Sequence, residues 1–428
     1  LHLLERHAGS LRRVDAYSEW QDHGPRRPER SRQEHYRQPA YRDETILDMQ
    51  AVSSQGFEDS LLPDGNKQDM LPVAAIYGPN AGGKSNILDA LKCLHSLVVF
   101  PILLFRGQTT AQAVNCVPFL FDENTSEEPT EFELYFIPDT EFEYRYQLSV
   151  QKGKIVEENL YRRRLAPNSR ISMLFERWDG EIKLGASIRR QSINTEVNEQ
   201  MPYLSFLAIN YKIEPINIAA KWFELCIIKN YANPHEEMQL VMRADEVSKK
   251  KLVEFLIDVG ITISGIQFVK KDDEHIDILF DHTINNHTYQ LHLADESDGT
   301  QKLFNVLPLV MIALTEGRLL VLDELDAKLH PKLLRYLIML FKNPEINQHK
   351  AQLIFTSHDI STMKSSVFRT DEIWFAYKKD DEASDLYSLY DLRDENGNHI
   401  GPNTAYDKQY LEGRYGADPY FRSMMEWR

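Results

Sequence analysis

Gly78-Pro79-Asn80-Ala81-Gly82-Gly83-Lys84-Ser85 is the stretch of sequence that decides the fold. It fits the phosphate-loop pattern, in which a glycine and four further residues precede Gly-Lys-Ser. The apolar residues 71–77 before it suit a buried strand. After it, a helix is indicated by one apolar face formed by Ile87, Leu88, Leu91 and Leu94. Strand, glycine loop and helix are the context that this pattern requires, so the sequence predicts a nucleotide site in an α/β domain.

The residue types of this loop suit a nucleoside triphosphate. Backbone N–H groups and a helix N-terminus point at the anion, and the glycines permit its close approach. Lys84 is expected to reach the β- and γ-phosphates, and the Ser85 hydroxyl to bind Mg²⁺. The predicted cofactors are therefore ATP and Mg²⁺. The predicted nucleotide-binding residues of the loop are Gly78, Pro79, Asn80, Ala81, Gly82, Gly83, Lys84, Ser85 and Asn86.

A second motif is a hydrophobic strand, residues 318–322, that ends in the carboxylates Asp323 and Glu324. By itself such a run is usually a strand end that meets solvent, but downstream of a phosphate loop it indicates chemistry. Asp323 is expected to support Mg²⁺, and Glu324 to act as the general base for an attacking water. His358 follows the next apolar strand, and its spacing from Glu324 predicts that it senses the γ-phosphate. The predicted catalytic residues are thus Glu324, His358 and Lys84.

Glu296-Ser297-Asp298-Gly299-Thr300 stands at the start of a predicted helix, which leads to the strand before Asp323. Serine and aspartate are also common helix N-caps, which is the simpler interpretation. The run resembles the signature of ATP-binding cassettes, whose serine and glycine bind the γ-phosphate held by the opposite subunit. The resemblance implies a homodimer with two ATP molecules between the protomers. Lys84 of one chain would then face Ser297 and Gly299 of the other.

Taken together, the motifs make the chain similar to the soluble cassette ATPases related to the SMC, RecF and OLD proteins. The run from Asp323 to His330-Pro331 is close to the acid-rich segment of that group. More narrowly, the chain resembles compact bacterial AAA-family ATPases of the RloA-like or abortive-infection type, through residues 75–80, 118–123 and 410–417. The similarity runs from about residue 43 onward. It implies an α/β P-loop NTPase fold of the ABC-ATPase type, with an antiparallel β subdomain and a mixed helical and β insertion.

Pattern and composition divide the chain into four parts. Residues 1–42 contain nine arginines and no lysine, and they are expected to be disordered or foreign to the fold. Residues 43–160 form the N-terminal ATPase lobe with the phosphate loop and an antiparallel hairpin predicted over 132–146. Residues 161–290 form a mixed insertion, with a helix over 243–259 and no heptad run of coiled-coil length. Residues 291–428 form the C-terminal ATPase lobe with the signature-like run, the two carboxylates and His358.

Composition excludes some classes of function. The net charge of −16 argues against a general polyanion binder. The local arginines at 162–164, 170, 189 and 190 favour a solvated strand edge over a nucleic-acid patch, which stays open. Three scattered cysteines suit a reducing cytosol, so a cytoplasmic location is expected. The longest apolar candidate, residues 303–314, is broken by an asparagine and a proline, and no membrane span is predicted.

Three functions fit these observations. The preferred one is the ATPase subunit of a bacterial anti-phage or abortive-infection system, in which ATP-driven dimer closure controls a separate effector, a nuclease or a toxin. The alternative is a DNA repair or maintenance ATPase like RecF or SMC. The least favoured is an ATP-dependent nuclease of the OLD type, because the stretch after His358 is too short for a nuclease domain and the closing ATPase elements. The acidic cluster at 380–385 is interpreted as a solvated loop.

Overall fold

The computed structural model of the chain describes residues 2–6, 45–52, 56–63, 69–109, 116–122, 125–188, 192–230, 246–270, 276–394 and 397–416. In chain order, its strands are β1 (His2–Arg6), β2 (Thr45–Asp48), β3 (Val73–Tyr77), β4 (Thr130–Phe136), β5 (Phe142–Gln151), β6 (Lys154–Arg164), β7 (Ser172–Trp178), β8 (Glu181–Leu184), β9 (Ile227–Asn230), β10 (Gly265–Lys270), β11 (Ile276–Ile284), β12 (His287–His292), β13 (Leu319–Asp323), β14 (Gln352–Thr356), β15 (Ile373–Lys378) and β16 (Ser384–Ser388). Its helices are α1 (Lys84–Phe105), α2 (Tyr203–Asn210), α3 (Glu214–Leu225), α4 (Glu246–Asp258), α5 (Asp298–Glu316), α6 (Pro331–Lys342) and α7 (Tyr406–Leu411).

A six-stranded sheet in the order β16-β15-β3-β14-β13-β9 carries the predicted motifs. All its neighbouring pairs are parallel except β15 with β16. The strands β3 and β13 are buried at every position, as expected of parallel strands covered on both faces. Along β3 the side chains alternate between two cores, one packed by α5 and α6 and the other by α1 and α3. The predicted strands at 71–77 and 318–322 are therefore confirmed as β3 and β13, with bounds shifted by one or two residues, and the apolar strand predicted before His358 is β14.

A seven-stranded antiparallel sheet has the order β2-β1-β4-β5-β6-β7-β8. The predicted hairpin is confirmed, because β4 and β5 pair from Thr130 with Val150 to Phe136 with Tyr144. The inward residues Phe132, Leu134 and Phe136 join the same core as α1. The sheet thus braces the helix that follows the phosphate loop. It continues to β8, so the predicted boundary at residue 160 falls inside β6.

The strand β1 lies between β2 and β4 and pairs with both. The expectation that residues 1–42 stand outside the fold is therefore wrong for His2–Arg6, and residues 7–42 lie outside the described residues. This short strand closes the ladder between β2 and β4, so its backbone groups find partners on both sides. A composition averaged over the whole arginine-rich segment could not register so short a strand.

The mixed insertion is confirmed in kind. Its helix α4 lies within the predicted 243–259, and a three-stranded antiparallel sheet, β10-β11-β12, follows it. This small sheet is followed by α5, the helix that was predicted to start at the signature-like run. The longest helix in the described part of the chain is α1, at 22 residues, and α1 is not a coiled-coil arm because it packs in the core.

The helix α1 is long and apolar enough to cross a membrane, and it is the one helix among the described residues that meets this test. It is a longer apolar candidate than residues 303–314, which were expected to be the longest. Leu94 and Val98 at its centre are fully buried within the protein. Core helices meet the same criteria of length and composition, so the finding is weak evidence for a membrane span.

Candidate nucleotide site

The loop between β3 and α1 is shaped by close contact with two strands. Gly78 has φ +150°, and a Cβ placed on it would lie 2.2 Å from the carbonyl oxygen of Ala376 in β15. Gly83 has φ +95° at the N-cap of α1, and its Cβ would lie 2.2 Å from the Oγ of Ser384 in β16. Only glycine fits both positions. No side chain caps α1, so its first N–H groups face the loop, as an anion site requires.

Lys84 is buried at the start of α1, with 6% of its surface exposed. Its Nζ donates to the carbonyl oxygens of Gly78 and Pro79, at 2.9 Å each. An ammonium group has three N–H bonds, so one remains for an anion in the loop. Burial lowers the pKa of Lys84, and the nearby carboxylates of Asp323, Asp326 and Glu324 oppose that shift. The ammonium group of Lys84 therefore lies against the phosphate loop, where it could form a charge-assisted hydrogen bond with a bound phosphate.

Asp323 gathers polar groups from three other segments. Its Oδ2 accepts from the Oγ of Ser85 at 2.9 Å and from the Nδ2 of Asn230 at 3.1 Å. Its Oδ1 accepts from the Oγ1 of Thr356 at 2.5 Å. The predicted pair of Ser85 and Asp323 is therefore brought together at the carboxyl ends of β3 and β13. A hydroxyl and a carboxylate are the oxygen donors that Mg²⁺ prefers, so the donor set fits that ion.

Asn230 and Thr356 are functional-site residues that the sequence did not predict. Asn230 is the last residue of β9, a strand that the pattern did not predict, and it lies beside Asp323 in the parallel register. Thr356 ends β14, which separates β3 from β13 in the sheet. The position of these two residues at the ends of strands could have identified them. A polar residue at the carboxyl end of a parallel strand points to the edge where such sheets bind ligands.

Glu324 follows β13 in a left-handed conformation, with φ +54°. Its backbone N–H donates to the Oγ1 of Thr356 at 2.8 Å. Its carbonyl oxygen accepts from the Nζ of Lys302 at 2.6 Å and from the N–H of Ala327 at 3.1 Å. A residue other than glycine rarely adopts this conformation, and it persists where the surroundings hold it. The predicted base therefore sits at a half-buried turn whose backbone is fixed at both ends.

His358 lies beyond the end of β14, next to the turn that contains Glu324. Its backbone N–H donates to Oδ2 of Asp326 at 3.0 Å, and its side chain is exposed. The other carboxylate oxygen of Asp326 is buried without a partner. The structure therefore places His358 on the same edge of the sheet as Asp323 and Glu324.

Ser297 and Gly299 start α5 on the other side of that turn. The Ser297 hydroxyl accepts from the N–H of Thr300 at 3.2 Å, so the simpler interpretation as an N-cap describes its local role. Ser297 is exposed, and a Cβ on Gly299 would lie 3.1 Å from the carbonyl oxygen of Lys328. Lys328 in turn pairs with Asp298 at 3.1 Å. The signature-like run is thus attached to the loop that follows Glu324, and its serine is open to solvent.

A groove of about 790 Å³ adjoins the phosphate loop. It runs between α1, residues 116–121 and the turn that joins β15 to β16. Asn86 lies at its rim, where its Nδ2 donates to the Oγ of Ser384 at 3.2 Å. The Oγ1 of Thr45 donates to the carbonyl oxygen of Ser384 at 3.4 Å. The groove is large enough for the nucleoside part of a nucleotide.

The arginines of β6 have partners of their own. Arg163 pairs with Glu143 at 2.7 Å, and Arg162 lies over the ring of Phe142 at 4.2 Å. Arg164 lies 3.9 Å from Glu141. These contacts favour the solvated strand edge over a nucleic-acid patch. Arg189 and Arg190 lie outside the described residues.

The acidic cluster at 380–385 is tied to lysines in the β15–β16 turn. Glu382 pairs with Lys378 at 2.7 Å, and Asp385 pairs with Lys379 at 3.3 Å. In the described part of the chain, no group of three or more His, Cys, Asp or Glu residues is placed to hold a metal.

The sulfur atoms of Cys93 and Cys116 lie 2.7 Å apart, although the two residues are well separated in the sequence.

The fold is that of a P-loop NTPase. A phosphate loop follows β3, the carboxylates lie at the end of β13, one strand separates β3 from β13, and helices cover both faces of the sheet. Residues 73–364, more than half of the chain, match a family described as "AAA domain, putative AbiEii toxin, Type IV TA system". The chain therefore belongs to this family of AAA ATPase domains. The predicted resemblance to AAA-family ATPases is confirmed at that level.

Among solved structures, 50 chains match with significance. One of them is the SMC head bound to the C-terminal winged-helix domain of ScpA, at 18% identity, covering 76% of this chain and 93% of that one. Its TM-score of 0.34 is too low to inform function. No curated protein matches with significance.

Proposed function

We propose that the chain binds and hydrolyses ATP with Mg²⁺, as an ABC-type ATPase that acts as a dimeric switch. The observation that carries the proposal is the contact between Ser85 and Asp323, 2.9 Å apart at the carboxyl ends of β3 and β13. It joins the two motifs of a nucleoside triphosphatase in one place. The family match to AAA domains supports the same chemistry.

Each residue of the site has a distinct role in the proposed reaction. The loop from Gly78 to Asn86 holds the phosphates, and Lys84 supplies positive charge toward them. Ser85 and Asp323 would hold Mg²⁺, and that ion would supply positive charge for the phosphates. Glu324 accepts the proton of the water that attacks the γ-phosphate, and His358 contacts that phosphate. The groove beside Asn86 receives the nucleoside.

The proposed dimer follows from the open face of the signature-like run. Ser297 and Gly299 would bind the γ-phosphate held by a second copy of the chain, because their helix N-terminus is exposed and favours an anion. A two-fold homodimer then contains two composite ATP sites. ATP closes the dimer, and hydrolysis releases it.

We assign this switch to a bacterial anti-phage system, where it controls a separate nuclease or toxin in the cytoplasm. The family description, which names a putative AbiEii toxin and a Type IV TA system, supports the assignment. The alternative is a DNA repair or maintenance ATPase like RecF or SMC, and an OLD-type nuclease is less favoured. The negative charge and the paired arginines of β6 favour the first function.

ATP turnover of purified variants tests the enzymatic part. Lys84→Ala and Glu324→Gln should each lower the turnover rate by at least about 100-fold. Glu345→Gln is the matched control, because Glu345 is an exposed glutamate of a turn away from the site. Turnover that is unchanged in both site variants would refute the proposed ATPase.

DNA binding and cleavage separate the three functions. We expect the wild-type dimer with ATP to show no salt-sensitive DNA binding and no nuclease activity by itself. DNA binding that appears with ATP and weakens steeply with salt would favour the repair ATPase. Cleavage by the purified chain would favour the OLD type.

A further inference from the structure

Lys302 joins the signature-like run to the proposed catalytic base. It lies in the second turn of α5, whose first turn carries Ser297 and Gly299, and only 2% of its surface is exposed. Its Nζ donates to the backbone carbonyl oxygen of Glu324 at 2.6 Å. We propose that Lys302 is a positioning residue, which transmits the position of α5 to Glu324 and so couples the ATP held by one subunit to the base of the other ATP site. The inference rests on the proposed function.

The backbone of Glu324 is the part of the site that needs external support. Its φ of +54° is unfavourable for a glutamate. Thr356 accepts from its N–H, and Lys302 donates to its carbonyl oxygen. The direction of the carboxylate depends on this turn, because the side chain leaves the Cα between the two fixed groups. A small displacement of a reacting group costs a large factor in rate, so the hold on the carbonyl matters for turnover.

A purely stabilising role explains Lys302 poorly. The carbonyl oxygen of Glu324 also accepts from the N–H of Ala327, so removal of the lysine leaves it paired. Burial lowers the pKa of Lys302 to about 8, against the attraction of Asp326 and Glu324. The ammonium group therefore lies in an environment that disfavours its charge. Removal of this charge relieves its desolvation cost, which offsets part of the contacts that the side chain loses.

A second contact ties α5 to the same turn. The carbonyl oxygen of Lys328 would lie 3.1 Å from a Cβ on Gly299, and the Nζ of Lys328 lies 3.1 Å from Asp298. The first turn of α5 thus touches the end of the loop that Glu324 begins, and the second turn touches its start. A shift of α5 that accompanies anion binding at Ser297 would therefore move the loop after Glu324 at both of its ends. Only the contact of Lys302 is made with Glu324 itself; the other contact is made with Lys328.

The test compares Lys302→Met and Lys302→Arg with wild type and with Lys342→Met. Lys342 is the matched control because it is also buried, at 3% exposure, but pairs with Glu372 away from the site. We expect Lys302→Met to lower kcat by about 10–100-fold, with the KM for ATP within about twofold and a smaller loss of thermal stability than Lys342→Met shows. Lys302→Arg keeps a charged donor and should recover most of kcat. Lys342→Met should lower the melting temperature and leave the kcat of the folded protein unchanged.

A double variant tests the path through the signature-like run. If Lys302 acts by transmitting the position of α5, Ser297→Arg combined with Lys302→Met should be no slower than Ser297→Arg alone. The inference is overturned if Lys302→Met has the kcat of wild type, or if the two single effects multiply in the double variant. In either case wild type still hydrolyses ATP and Glu324→Gln does not. Failure of the proposed function would instead abolish the difference between wild type and Glu324→Gln.

Discussion

The two halves of the proposed ATP site differ in how far one chain completes them. In the phosphate-loop half, Lys84 is buried against its own loop and Ser85 contacts Asp323. In the signature half, Ser297 is exposed, and its side-chain hydrogen bonds stay within the first turn of α5. The first half is organised by the fold itself, whereas the second presents a helix N-terminus to solvent. The difference fits the proposed dimer, in which the chain would supply two complementary surfaces of a composite site.

The largest effect is expected in the phosphate-loop half. Glu324→Gln removes the proton acceptor and keeps the shape of the side chain, so turnover should fall by about 1,000-fold. ATP binding should persist, and the dimer should accumulate because closure is no longer reversed by hydrolysis. ATP turnover and light scattering with and without ATP measure both effects. A variant that hydrolyses ATP within threefold of wild type would break the assignment of Glu324.

The corresponding change in the signature half is Ser297→Arg. The bulky side chain keeps the signature-like run from reaching the γ-phosphate held by the second subunit, so turnover should fall by about 100-fold. The affinity of the separate chain for ATP should not change, because the phosphate loop is untouched. Binding of a fluorescent ATP analogue below the dimerisation concentration gives the affinity. Ser297→Thr keeps the capping hydroxyl and serves as the control, and equal losses in the two variants would argue against a blocked interface.

A smaller effect on activity is expected from Asn230, which only the structure identifies. Asn230→Ala removes a donor to Asp323 and should raise the Mg²⁺ concentration for half-maximal turnover about 10-fold, as expected for a residue that supports a metal ligand. A Mg²⁺ titration of turnover measures it. Asn210→Ala, at the exposed end of α2, is the matched control. An unchanged Mg²⁺ requirement would mean that Asn230 only fills space beside Asp323.

The smallest effect concerns stability alone and falls on the helix of the phosphate-loop half. Burial lowers the pKa of His95 to about 4, and a hydrogen bond to the backbone of Phe223 opposes the shift. The unfolded chain therefore binds the proton first, from about pH 6.5 downward, and the folded chain only near pH 4. Above about pH 6.5, His95 is neutral in both states and does not lower the free energy of unfolding. Between pH 7.5 and 5, protonation of His95 in the unfolded chain should lower the free energy of unfolding by about 2 kcal/mol. Urea unfolding at the two values should show this loss in wild type and not in His95→Phe, and an equal loss in both would exclude His95 as the cause.

The sequence allowed most of the central sheet to be predicted, because parallel strands are continuous apolar runs and the phosphate loop fixes the topology around them. The motifs alone predicted that Ser85 and Asp323 serve the same site, and the two side chains lie 2.9 Å apart. By contrast, Asn230 and Lys302 could not be found, because their roles depend on the register of β9 against β13 and on the packing of α5. The strand β1 was missed because so short a run bears little pattern within an arginine-rich segment. Local pattern predicts elements, whereas contacts between distant segments need coordinates.

Subunit complementation tests the composite site most directly. Lys84→Ala has a defective phosphate-loop half, and Ser297→Arg has a defective signature half, so each homodimer is inactive. Random mixing of equal amounts makes half of the dimers mixed, and each mixed dimer has one intact site. Two independent sites would return about a quarter of wild-type ATP turnover, and the proposed coupling through Lys302 lowers that figure. We therefore predict that the mixture turns over ATP faster than the mean of the two separate variants and more slowly than a quarter of wild type. Turnover no higher than the mean of the two separate variants would contradict the account.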